Sequence, residues 1–205
     1  MPQTEMTCHS PATEQAPDGA TRIALIGSPN GGKTSIFNQL TGLHAKTGNY
    51  PGVTVSRSEG VARIHDHTFA IEDLPGTYSL SPISPDEQVV VDVLDGRMDQ
   101  VSAPDALVVV ADATALRRSL LLLAEVLPRH LPTAVVVTMT DELRRRQGSL
   151  DVTALSQALG VPVVAVVANR GIGIGELRNL LTTWHDWDRP PLDPPSRSSE
   201  LAGWV

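Results

Sequence analysis

One stretch limits this chain more than any other: Gly27-Ser28-Pro29-Asn30-Gly31-Gly32-Lys33-Thr34. It fits G-x-x-x-x-G-K-[ST], a pattern that works only between a buried strand and a helix. Both are present. Ile23-Ala24-Leu25-Ile26 is a short apolar run ending at Gly27, and Lys33 to Leu40 puts Ile36, Phe37 and Leu40 on one helical face. Glycines let the backbone wrap a polyphosphate with its N–H groups pointing inward. Lys33 supplies a cation for the β- and γ-phosphates. The Thr34 hydroxyl suits Mg²⁺, a hard cation that takes oxygen ligands. Pro29, Asn30, Gly31, Gly32, Lys33, Thr34 and Ser35 are therefore the expected lining of a nucleoside triphosphate site.

The rest of the chain fits that start. Gly60–Ile64 and Thr68–Leu74 alternate around the turn-like His65-Asp66-His67, which predicts a hairpin. Pro85 to Leu94 reads as a helix capped by Ser84. Apolar strands at Ala106–Ala111, Thr133–Met139 and Val161–Ala168 then alternate with helices at Ala115–Leu127, Leu150–Leu159 and Ile174–Trp187. That order predicts an α/β fold: a mostly parallel, six-stranded sheet with helices on both faces. Residues 43–58 read as a loop. Residues 1–20 read as a disordered leader and the Pro-rich residues 188–205 as a tail or linker, which leaves 21–187 as the folded domain. Cys8 and His9 are adjacent in the leader, with nothing nearby to complete a metal site.

Composition narrows the function. Hydrophobic residues make up 41% of the 205 and aromatics only 3%, so the core is aliphatic. The formal charge of -7 argues against the basic face of a general nucleic-acid binder. A single cysteine excludes an internal disulfide. No apolar run approaches the ~18–20 residues of a membrane helix, and the N-terminus lacks a signal-peptide layout, so the chain alone reads as soluble.

Two further segments fall where strands end, the place where ligands bind in such sheets. Asp73-Leu74-Pro75-Gly76 closes a strand: Asp73 suits Mg²⁺ through water, and the Gly76 N–H suits a γ-phosphate. Thr54 lies in a Gly-Pro-Thr loop, where a threonine can complete the Mg²⁺ shell with triphosphate bound and let go after hydrolysis. Thr138-Met139-Thr140-Asp141 follows another strand, where GTPases place N-K-x-D. Guanine offers a carboxylate two donors, N1–H and N2–H, which adenine lacks, so Asp141 is expected to select guanine. Thr138 replaces the usual Asn and is expected to tie the loops with fewer contacts. Ala168-Asn169-Arg170 occupies the place of the Ser-Ala-Lys-like segment that packs over the base.

The residues resemble one family in particular, FeoB, whose members are bacterial ferrous-iron transporters with a cytoplasmic G domain, a helical spacer and a membrane region. The resemblance rests on G-x-P-N-x-G-K-T with Asn30, on Asn49-Tyr50-Pro51-Gly52-Val53-Thr54-Val55, and on Asp73 through Pro82 followed by Ser84-Pro85. Asp112-Ala113-Thr114, Asp141-Glu142 and Leu159-Gly160-Val161-Pro162-Val163 fit the same pattern. It implies a Ras-like P-loop GTPase fold, GTP and GDP as ligands, and nucleotide contacts at Gly52, Val53, Thr138, Met139, Ala168 and Asn169 besides the loop. It implies catalytic roles for Asn30, Lys33, Thr54 and Gly76. It also implies a K⁺ ion near the phosphates, with Asn30 as side-chain ligand and first-switch carbonyls around Asn49 to Gly52 completing it. The glutamine that usually positions the attacking water is missing, since Thr77 and Tyr78 follow Gly76; slow intrinsic turnover is therefore expected. The sequence departs from the family at Ser28, Thr138 and Ala168, all near nucleotide or loop anchors.

The resemblance implies a cytoplasmic domain of a bacterial inner-membrane protein, with the spacer and membrane domains absent from residues 1–205. Two rivals stand beside it. One is a soluble assembly or tRNA-modification GTPase, which also uses G-x-P-N; the acidic balance and Thr77–Pro82 argue against it. The other is a low-activity guanine-nucleotide sensor that regulates a partner. The loop from Thr41 to Ser58 is long enough to exchange between subunits, which leaves a homo-oligomer open as a topological option. The six His residues form no ligand cluster, with only His65 and His67 near one another.

Overall fold

A computed structural model describes residue 17, residues 19–43 and residues 45–187. The expected leader and tail lie almost wholly outside these residues, and Cys8 and His9 lie entirely outside. Seven strands form one sheet: β1 (Thr21–Gly27), β2 (Ala45–Asn49), β3 (Ser56–Ile64), β4 (His67–Asp73), β5 (Ala106–Asp112), β6 (Thr133–Thr138) and β7 (Val163–Ala165). Their spatial order is β2-β3-β4-β1-β5-β6-β7. The pairs from β4 to β7 are parallel, while β2–β3 and β3–β4 are antiparallel. Six helices accompany them among the described residues: α1 (Lys33–Thr41), α2 (Pro85–Leu94), α3 (Leu116–Val126), α4 (Thr140–Arg145), α5 (Val152–Leu159) and α6 (Ile174–Thr182).

The Val-rich strands are continuous apolar runs because both faces are covered. Ala24, Ile26, Leu107, Val109, Val135 and Val137 face one side, with Val89, Val90 and Val93 of α2 and Leu120 and Leu123 of α3. Their neighbours Ile23, Leu25, Val108, Val110 and Val136 face the other, against Ile36, Phe37 and Leu40 of α1 and Leu177 and Leu181 of α6. The period-2 geometry of a strand sends alternate residues into the two layers.

The expected count of six strands is corrected to seven. The added strand, β2, falls in the segment read as a loop. It is a short edge strand, Ala-Lys-Thr-Gly-Asn, held by backbone pairing to β3 and exposed along most of its length. An exposed edge strand carries no hydrophobic alternation, so its pattern was invisible. Two boundaries also move. The last strand is only Val163–Ala165, because Ala168 already opens a 3₁₀ turn. The last helix stops at Thr182, and a 3₁₀ turn covers Trp184–Asp186. The hairpin turn lies at His65-Asp66, with Ile64 paired to His67 and both histidines exposed.

Sheet order fixes the site. The chain crosses to one side of β1 for β4 and to the other for β5, so β1 sits where the winding reverses. Loops at the carboxyl ends of strands diverge there and leave a crevice. Gly27, Asp73 and Thr138 all lie at such ends.

Candidate nucleotide site

The loop after β1 is built on close contacts. The helix it leads into begins after Gly32, whose φ of 88 favours glycine, and no side chain caps it. The first N–H groups of α1 are thus free of side-chain partners, the arrangement that binds anions at helix starts. Gly76 packs directly on the loop: a Cβ there would meet Pro29 Cα, N and Cγ at 2.9 Å each. Thr77 N–H donates to Gly27 O at 3.0 Å, which fastens the same segment from the other side.

Asp73 is delivered by register. β4 runs parallel to β1 with Leu25 opposite Asp73. Thr34 Oγ1 donates to Asp73 Oδ2 at 2.7 Å, and Lys33 Nζ lies 3.1 Å from Asp73 Oδ1. That Oδ1 is buried and takes no hydrogen bond, so its charge is met by the ammonium. The Thr34 hydroxyl and the Asp73 carboxylate, in contact, form an all-oxygen donor set of the kind Mg²⁺ takes. Lys33, Thr34, Thr54, Asp73 and Gly76 line one cavity of about 370 Å³. Ser56, Ser58 and Asp86 line it too, none of them expected. Asp86 had a faint signal, as an acid in the first turn of a helix that starts Ser84-Pro85.

A second cavity of about 320 Å³ lies on the other side of the first turn of α1. Gly32, Ser35, Thr138, Met139, Asp141, Ala168 and Asn169 line it. Thr138 is buried and its hydroxyl donates to Gly31 O at 2.7 Å, with Ala111 O at 3.3 Å as the nearby alternative. It ties the glycine loop to the end of β6. Met139 then takes a left-handed conformation, φ 56, and turns the chain into α4, whose first turn holds Asp141. Sequence reasoning missed α4, a helix of six residues. It also missed Arg145, which lines this cavity and reaches Asp141 Oδ2 at 3.2 Å. The i,i+4 spacing was the available signal. Hydrogen bonds from Arg146 and then Arg145 hold Glu142 below the usual carboxylate range.

Five expected residues line neither cavity. Pro29 serves as the floor under Gly76, and Gly31 as the acceptor for Thr138. Asn30 is exposed in a left-handed turn, φ 61. Gly52 and Val53 form the exposed tip of the Thr54 loop. The segment after Gly76 is pinned: Ser79 Oγ and Leu80 N–H donate to Glu125 of α3, and Ile83 N–H donates to Glu87 at 2.9 Å.

A glycine loop at the reversal point of a mostly parallel sheet, with D-x-x-G on the neighbouring strand, defines a P-loop GTPase fold. Comparison with known proteins narrows this. The model of the family described as ferrous iron transport protein B matches residues 21–181, and the chain belongs to that family. It is 43% identical over 160 residues to the Fe(2+) transporter FeoB of Leptospira biflexa, covering 78% of this chain and 23% of that protein. A fusion of Fe(2+) transport protein A with FeoB from Porphyromonas gingivalis is 42% identical over 174 residues, 84% of this chain and 20% of that one. The chain thus spans about a fifth of these relatives' length. Among solved structures, the G domain of the T. maritima FeoB iron transporter superposes with a TM-score of 0.73 at 37% identity, covering 82% of this chain and 99% of that one. The cytosolic domain of the same transporter, solved in a GMPPNP form, gives 0.75 at 37% identity, over 81% and 64% of the two chains.

Proposed function

We propose that this chain is the GTP-binding and GTP-hydrolysing switch domain of a bacterial ferrous iron transporter, dependent on Mg²⁺ and stimulated by K⁺. The observation that carries this reading is the convergence of Lys33, Thr34, Thr54, Asp73 and Gly76 on one cavity, with Asp141 in another across the first turn of α1. A relative solved in a GMPPNP form supports a guanine nucleotide as the ligand.

In this reading the two cavities take the two ends of one nucleotide. Lys33 leaves Asp73 for the β- and γ-phosphates, and the free N–H groups of α1 take the remaining phosphate oxygens. Thr34 and Thr54 would hold Mg²⁺ by their hydroxyls and Asp73 through water, and the ion would supply positive charge against the phosphates. Gly76 donates its N–H to the γ-phosphate. Asp141 accepts from guanine N1–H and N2–H, while Ala168 and Asn169 border the base. Asn30 carries an amide oxygen that would suit K⁺, and a cation held there would offset negative charge on the phosphates.

No side chain among these is a general base for the attacking water. Thr77, which follows Gly76, is buried and donates to Ser79 O. Catalysis then comes from positioning and electrostatics, with intrinsic turnover on the order of 10⁻⁴–10⁻² s⁻¹. No helix among the described residues is long and apolar enough to cross a membrane, and no group of three or more His, Cys, Asp or Glu there could hold a metal ion. This chain covers only 20–23% of its transporter relatives, and in this reading iron movement belongs to a further, membrane portion of the system that this domain switches.

The test is GTP hydrolysis with Mg²⁺ in K⁺ against Na⁺ at equal ionic strength, for the wild type and Asn30→Ala. Stimulation by K⁺ that disappears in the variant is the expected result. Equal near-zero rates in both salts would overturn the potassium mechanism and favour a binding-only sensor.

A further inference from the structure

The loop that carries Thr54 has both stems fastened to one carboxylate. Before the loop, Tyr50 is 1% exposed and donates its hydroxyl to Glu72 Oε1 at 2.9 Å. After the loop, Arg57 on β3 donates its Nε to the same oxygen at 2.9 Å. The backbone closes the loop between them, with Tyr50 N–H donating to Val55 O at 2.9 Å and Val53 N–H to Tyr50 O at 3.3 Å. The Arg57 guanidinium also lies 5.8 Å from the centre of the Tyr50 ring.

Glu72 itself is buried in β4, and Asp73 is the next residue. Arg22 of β1 stands 3.6 Å from Glu72 Oε2 and 3.3 Å from Glu59, and Arg57 pairs with Glu59 as well. Two guanidiniums thus face two carboxylates, and Glu72 takes contacts from both. Burial, and then the charge of Glu72, push the Tyr50 hydroxyl up, so it stays a donor. Taking these charges out of water is costly, and well-packed apolar residues would hold a sheet at least as well. None of Arg22, Tyr50, Arg57, Glu59 and Glu72 lines either cavity. The cluster therefore needs a reason beyond packing, and its geometry offers one.

We propose that Glu72 and Tyr50 are positioning residues: they fasten both stems of the Thr54 loop to the strand that carries Asp73, and so set where Thr54 meets the γ-phosphate end of a bound triphosphate. The inference rests on the reading of Thr54 given under Proposed function. Its consequence is selective. A diphosphate has no γ-phosphate for Thr54 to approach, so the fastening acts on triphosphate binding and turnover and leaves diphosphate binding alone. Movement of the loop is confined to the residues between its fastenings.

The experiment compares binding of GMPPNP with Mg²⁺ against binding of GDP, and the rate of GTP hydrolysis, in the 205-residue chain. Tyr50→Phe keeps the ring and removes one hydrogen bond to a charged acceptor. It should weaken GMPPNP relative to GDP about tenfold and lower kcat by a similar factor. Glu72→Gln keeps an acceptor oxygen for both donors and loses the charge, so the ratio should fall roughly threefold. Thr54→Ala should lower the ratio by itself, and adding Tyr50→Phe to it should change the ratio no further. A Tyr50→Phe variant that loses affinity for both nucleotides equally, with a lower melting temperature, would reduce the cluster to a structural role and overturn the proposal. An unchanged ratio in Tyr50→Phe beside a lowered one in Thr54→Ala would overturn it too, while sparing the nucleotide reading. An unchanged ratio in Thr54→Ala would overturn that role for Thr54, and the proposal with it.

Discussion

Thr138→Val isolates the side-chain bond by which the end of β6 holds the glycine loop. Valine has nearly the shape of threonine, so the change removes a hydroxyl and leaves little cavity. The Gly31 carbonyl, buried in the loop, loses the donor now 2.7 Å away, and Ala111 O loses the alternative contact. A buried acceptor left without a partner costs ~1–3 kcal/mol. Taking about 2 kcal/mol, and ~2–4 °C per kcal/mol for a chain of this size, the melting temperature should fall by about 4–8 °C. If the bond also holds the loop in its nucleotide-ready form, the same 2 kcal/mol weakens GDP binding by up to about 30-fold. Scanning calorimetry and titration with a fluorescent GDP analogue measure the two effects. Thr138→Ser, which keeps the hydroxyl and loses one methyl, should lose only ~0.8 kcal/mol. Thr138→Val melting within a degree of the wild type, with unchanged GDP affinity, would refute the view that this hydroxyl braces the loop.

Three other outcomes are expected. Asp141→Asn removes a charge-assisted acceptor worth ~1.5–3 kcal/mol, so GDP affinity should fall about 10- to 150-fold while xanthosine diphosphate gains, measured by competition binding. Gly76→Ala drives a methyl against the Pro29 backbone at 2.9 Å; GTP hydrolysis should be lost while GDP binding stays within a few-fold, and full activity would show that the two segments need not touch. Tyr50 gives a pH signature. Its folded-state pKa is raised, by burial first and Glu72 second, so its stabilising contribution is intact below the unfolded value near pH 10 and is lost as pH rises beyond it. Above that pH the wild type should lose stability by about 1.4 kcal/mol per pH unit more steeply than Tyr50→Phe, read from denaturant melts; parallel slopes would contradict the assigned burial.

Much of this molecule is legible in its sequence because the signals are local. Gly27–Thr34 has one use between an apolar run and an amphipathic helix, and the Val-rich runs at Ala106–Asp112 and Thr133–Thr138 fit only a sheet covered twice. Ser84-Pro85 starts α2 as a capped helix should, with the Ser84 hydroxyl accepting from Glu87 N–H. Edge strand β2 was not legible, since what forms it is backbone pairing to β3 rather than burial of its side chains. Asp86 and Arg145 left only faint local signals, because helix position and i,i+4 spacing do not say which cavity a surface charge will border.

Residue order alone dictates the class of fold and the groups available to a nucleotide: an ammonium, hydroxyls, a carboxylate for a cation and another for a base. Those are properties of residue type and short-range pattern. Which of them meet depends on how the strands pair. Parallel pairing of β1 and β4 brings Asp73 to Thr34 and Lys33; a hydroxyl at the end of β6 reaches Gly31 across more than half the chain; and Glu72 collects Tyr50 and Arg57 from either side of a loop. The reason is physical: residue identity sets what a group can bond, while strand order and register set the distance at which it does so.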